Sequence, residues 1–148
     1  MKKSGFTTLL LLAIVITACL FWLFDYPEKG EVMIHTPTAD YSSSYTRVRG
    51  YYKYGKIHEK ATYGIRKELE KKEAFIYEDT YEIAFNGDVF LGPLYYIYDN
   101  DFQYLYSKSD ADMIIPESKG VYYLAVYVTW GSETEYIVCE HYFKLQVN

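Results

Sequence analysis

Two stretches, VYYLAVYVTW and YIVCEHYFKLQV, place large apolar residues at every second position. A strand points successive side chains to opposite faces, so this period commits both runs to β structure. In the first, Tyr122, Leu124, Val126, Val128 and Trp130 share one face, and Tyr123, Ala125, Tyr127 and Thr129 the other. In the second, Ile137, Cys139, His141, Phe143, Leu145 and Val147 turn to the core. Tyr136, Val138, Glu140, Tyr142, Lys144 and Gln146 then face outward. The intervening GSETE, residues 131–135, is rich in turn formers. The pair is expected to be an antiparallel hairpin.

EVMIHT, SYTRVRGYY, TYEIAF, LYYIY, FQYLY and DMII supply further short strands, with the DND at Asp99 and Asp101 as a hairpin tip. IRKELEKKE is the one charge-dense stretch, with only Ile65 and Leu69 as apolar anchors, and suits one short helix or a solvated connection. Seven to nine short strands separated by turns predict an antiparallel β-sandwich. Cys19 and Cys139 are the only cysteines, and Cys19 lies in the apolar leader, so no disulfide can lock the domain. Apolar burial must hold it, and with half the residues apolar, 19 of them Tyr, the material is present.

The start of the chain is different. Lys2 and Lys3 precede residues 6–24, which carry no charge, and Asp25 follows. As a helix those residues would reach roughly 28 Å, close to a hydrocarbon core of about 30 Å. The flanking charges orient everything after Asp25 outward. Ile16, Thr17, Ala18 and Cys19 also resemble a bacterial lipobox, in which Cys19 would carry the lipid after cleavage. Leu20, Phe21, Trp22, Leu23 and Phe24 continue the apolar run instead of turning polar, which suits an uncut anchor with Trp22 and Tyr26 near the headgroups. Both arrangements leave the domain tethered at a cell membrane on the extracytoplasmic side. The expected division is a signal anchor or lipoprotein signal segment over 1–24, a linker over 25–30 and a β domain over 31–148.

In ESKGVYYL, Tyr122 follows a turn and lies two residues before the core position Leu124. This resembles the tyrosine corner of immunoglobulin-like domains, whose phenol hydrogen-bonds backbone a few residues upstream. The early VRGYY, the YEIAF strand, IIPESKGVYYLAVYVTW and the closing YFKLQV also resemble uncharacterised secreted or lipid-anchored Ig-like proteins of Gram-positive bacteria. Members often carry a Cys-Trp pair where this chain has Tyr52, Lys53 and Tyr54. The resemblance implies an all-β, Ig-like β-sandwich outside the membrane and implies no activity.

The reactive side chains are few and scattered. GYYKYGKI has P-loop spacing at Gly50, Gly55 and Lys56, but Ile57 stands where the Mg²⁺-binding hydroxyl belongs. Cys139 and His141 point the same way from one strand, yet beside Phe143 and Ile137 they suit a core better than a nucleophile or metal site. His35 and His58 have no spacing that would complete a zinc site, and no metal or cofactor is expected. The acids Glu78, Asp79, Asp99, Asp101, Asp110 and Asp112 suit solvated turns and edges; an envelope hydrolase would need two of them across a cleft. Without Lys2 and Lys3 the 15 basic residues fall to 13 against 20 acidic ones, a formal charge of −7, which disfavours nucleic acid.

The expected function is therefore a tethered, non-catalytic binding module with an envelope protein or glycan as partner. Tyr123, Tyr127, Tyr136 and Tyr142 form its candidate surface, and Glu140 and Lys144 its rim. A cell-envelope hydrolase, or a structural subunit of a membrane complex, is the alternative.

Overall fold

The computed structural model describes residues 4–24, 27–60, 64–77, 80–109 and 115–148. Helix α1 (Ser4–Phe24) opens the chain. Along it the described side chains, residues 8–19, are exposed, and Leu9 to Leu12 and Ile14 to Ile16 are 51–71% accessible. Among the described residues, no helix is long and apolar enough to cross a membrane. The side chains of Trp22 and Tyr26 lie outside the described residues.

The rest is mostly antiparallel β structure in two sheets. The strands are β1 (Glu31–His35), β2 (Asp40–Ser42), β3 (Tyr45–Lys53), β4 (Lys56–Glu59), β5 (Phe75–Ile76), β6 (Glu82–Asn86), β7 (Val89–Tyr98), β8 (Tyr104–Lys108), β9 (Gly120–Gly131) and β10 (Tyr136–Val147). A short helix, α2 (Ile65–Glu70), precedes β5. The small sheet runs β2-β1-β6 and the large one β4-β3-β10-β9-β7-β8. β5 pairs in parallel with Leu145 and Gln146, continuing along β10 beyond the residues that β3 pairs.

The expected terminal hairpin is β9–β10, paired from Tyr136↔Gly131 to Val147↔Gly120. Its core face has the residues that the alternation assigns to it. Leu124, Val126, Phe143 and Leu145 meet Ile97 of β7 and Val32 and Ile34 of β1. IRKELE forms the short helix, and the DND tip joins β7 to β8. DMII falls largely outside the described residues, while β2 and β5 are too short to leave a period.

Two turns depend on glycine. The P-loop-like segment is a β-hairpin from β3 to β4, with Tyr54 at φ 52° and Gly55 at φ 73°. Positive φ at both central residues matches the strand twist, so the segment is a tight turn and not a phosphate cradle. Gly131 has φ 115°, and a Cβ there would run into the Glu135 carbonyl oxygen.

Tyr122 closes the loop before β9. Its phenol donates to the Ser118 carbonyl oxygen at 3.0 Å, and its oxygen lies 2.8 Å from Ser118 Oγ. This is the geometry expected of a tyrosine corner. Tyr122→Phe should lower stability by about 1 kcal/mol, the net worth of one such bond. Denaturant unfolding checks this, and an unchanged midpoint would remove the corner's structural role.

Candidate functional site

Trp130, near the end of β9, is a buried core residue. Its indole N–H donates to His141 Nε2 at 3.1 Å, while His141 Nδ1 lies 3.2 Å from Thr46 Oγ1. Indole is only a donor, so Nε2 must be the bare nitrogen and Nδ1 carries the proton. Burial lowers the His141 pKa from 6.5 to about 4, and burial raises the Cys139 thiol to about 11. The imidazole is neutral and committed to Trp130, and the thiol stays protonated. Both therefore act as core residues. Among the described residues no group of three or more His, Cys, Asp or Glu is placed to hold a metal ion.

Other sequence candidates are dispersed. His35 Nδ1 contacts Asp40 Oδ1 at 2.6 Å, and His58 stacks on Tyr51 at 4.5 Å between centroids. Asp99 Oδ1 accepts the backbone N–H of Asp101 at 2.9 Å and of Gln103 at 2.8 Å, shaping the β7–β8 turn. Glu78, Asp79, Asp110 and Asp112 lie outside the described residues. Cys19 is exposed on α1.

The opposite face of the large sheet is where the structure departs from expectation. Tyr123 and Tyr142 are each 2% exposed, and they pack with Leu69 of α2 in a second buried cluster. Phe102, at φ 63° in the β7–β8 turn, lies 5.0 Å from the Tyr123 ring and 6.4 Å from Tyr142. Two polar contacts fasten this cover. Lys144 Nζ donates to the Glu70 and Lys72 carbonyls at 3.0 Å, satisfying the end of α2. Arg66 Nη1 reaches the Asp101 carbonyl at 3.1 Å. The expectation that Tyr123 and Tyr142 form an outward strip is thus corrected, because α2 and the turn lie over them.

Glu140 is also corrected, from rim to interior. Its exposure is 0%. Arg47 Nε donates to Oε2, Tyr142 Oη donates to the same oxygen at 3.0 Å, and Arg47 Nη2 donates to Tyr142 Oη at 3.0 Å. Oε1 has no hydrogen-bond partner among the described residues, and Arg49 Nε stands 3.7 Å from it. Burial first, then the adjacent carboxylate, hold the phenols of Tyr127 and Tyr142 well above the usual range. A β-bulge brings in the second arginine. Val138 pairs with Gly50 and Cys139 with Val48, so the register skips Arg49.

Beyond Glu140 the face is open. Tyr136 stacks with Tyr52 at 5.3 Å and with Phe90 at 5.9 Å. Phe90 reaches across β9 because Gly131, the partner of Tyr136, has no side chain to obstruct it. Tyr127 lies 4.8 Å from Tyr96, and Leu94, paired with Tyr127, is 45% exposed. Tyr127 and Tyr136 are half-buried and remain accessible. Sequence reasoning did not single out Arg47, Arg49 or Phe90 for this face. No family model, curated protein or solved structure matches the chain.

Proposed function

We propose that the chain is an extracytoplasmic binding module tethered to a cell membrane by its N-terminal segment. The domain engages an envelope protein or glycan through the open half of the large sheet's outer face. It works by binding, without turnover or a cofactor. The observation that carries this reading is the stacked row Tyr52, Tyr136 and Phe90 beside Tyr127 and Arg49. Aromatic residues and arginine are enriched at interface cores, and Tyr offers stiff contact area at low entropic cost.

The tether draws support from the accessible leucines and isoleucines of α1, which favour an apolar medium. Either that helix or a lipid on Cys19 would supply it. The finer fold reading is an Ig-like sandwich. The strand order β8-β7-β9-β10 parallels C′-C-F-G, and the Tyr122 corner opens the F-like strand.

The test is in-cell crosslinking followed by mass spectrometry. Tyr127→Ser with Tyr136→Ser should lower partner capture by about tenfold or more, as loss of two interface aromatics predicts. Tyr104→Ser, on β8, should leave it unchanged. Equal capture by the double variant refutes this surface.

A further inference from the structure

We infer that the end of the domain where the chain arrives from α1 rests on the lipid surface, with the β3–β4 hairpin tip and the start of β7 among the headgroups. This depends on the tether proposed above and adds a second, direct contact between domain and membrane. Strand pairing defines that end. Ile57 pairs with Tyr52, Tyr52 with Tyr136 and Tyr136 with Gly131, so one row crosses β4, β3, β10 and β9. Gly131 N–H donates to the Asp88 carbonyl at 2.8 Å, which brings the β6–β7 turn to the same level. Pro27 to Glu31 line a cleft here with Asn86, Gly87, Asp88 and Gly131. A Cβ on Gly30 would run into the Trp130 ring and the Asn86 carbonyl oxygen, so this segment lies tight against the domain.

The leash is short. Pro27 is buried, and only residues 25 and 26 separate it from Phe24, the last residue of α1. Three residue steps reach at most about 11 Å. The headgroup layer is roughly 5–8 Å deep on each side of the hydrocarbon. With α1 as the anchor, this end of the domain is therefore held at the headgroups.

Its exposed side chains suit that position. Tyr54, Ile57, Val89 and Leu91 are all exposed large apolar residues, Ile57 the most at 70%. Aliphatic side chains gain by leaving water, and Tyr settles at the headgroup level with its ring in apolar surroundings and its hydroxyl wet. Lys56, next to Ile57, can lay its stem along the lipid and keep its ammonium at the phosphates. The charged residues at this end are Lys29, Lys53 and Lys56 against Glu28, Glu31, Asp88, Glu133 and Glu135. Lys53 is matched by Glu135 at 3.1 Å. The balance is acidic, so the contact is apolar and does not select anionic lipid.

The test uses the full-length protein with Cys19→Ser, reconstituted in phosphatidylcholine vesicles. Cys139 is buried, so a single introduced cysteine can be labelled with an environment-sensitive fluorophore. Ile76 is the control, exposed and apolar but paired with Gln146 near the opposite end of the domain. With nitroxides just below the lipid headgroups, labels on Ile57→Cys and Leu91→Cys should lose most of their fluorescence and shift to the blue. The label on Ile76→Cys should do neither. Leu91→Cys keeps the test decisive if Ile57→Cys fails to fold. Vesicle-bound protein with unquenched labels at 57 and 91, or with equal quenching at 76, overturns this inference alone. A blue-shifted but unquenched label means that protein covers this end and also overturns it, as does quenching confined to vesicles containing phosphatidylglycerol. Protein that does not float with the vesicles overturns the tether and this inference together.

Discussion

Arg47→Met should destabilise the fold by about 3–5 kcal/mol, the usual cost of stranding a buried charge. Glu140 is fully buried, and the Arg47 side chain is itself only 16% exposed, so water cannot take over the interaction. Arg49, 3.7 Å from the other carboxylate oxygen, offsets part of the loss and favours the lower end of that range. Methionine keeps most of the arginine's apolar stem, so packing changes little and charge is what the substitution removes. The companion variant, Arg47→Met with Glu140→Leu, should regain most of the stability, because no charge is then left without compensation. Denaturant unfolding followed by the fluorescence of buried Trp130 reads both. If the double variant is as unstable as the single one, uncompensated charge is not the cause.

Acidification should weaken the fold through His141. Its folded-state pKa of about 4 lies below the ordinary 6.5 because burial opposes charging. Between those values the unfolded chain binds a proton that the folded chain does not. Stability therefore falls as pH drops from 6.5 towards 4, by on the order of 3 kcal/mol. The geometry gives the same sign, since a proton on Nε2 would face the indole N–H of Trp130. His141→Gln retains an acceptor for that N–H and should flatten the profile in this window. Carboxylates titrate near its lower end, so the difference between the two proteins is the quantity to measure. Parallel profiles for both would show that His141 does not control the acid response.

Much of the β architecture was legible because it is written locally. The period of two in β9 and β10 fixes their faces without reference to any distant residue, and the core found there is the core expected. The Tyr122 corner is similarly local, closing over four residues. The outer face was misread because its cover comes from far along the chain. Leu69 lies 73 positions before Tyr142, and no pattern near either residue reveals their contact. Arg47 and Glu140 are 93 residues apart and meet only because β3 pairs with β10. One clue was available. The outward positions Tyr123, Ala125, Val138 and Tyr142 are apolar or aromatic, as expected of strands covered on both faces. The bulge at Arg49 had no comparable signal, since bulges arise from pairing and not from composition.

β10 lies inside the large sheet, hydrogen-bonded to β3, β9 and β5. During vectorial synthesis, everything before Tyr136 emerges without the keystone that joins β3 to β9. Until then β3–β4 and β8–β7–β9 can pair only within their own groups, and β3 and β9 stay apart. The arrival of β10 between β3 and β9 would then close the large sheet in one step.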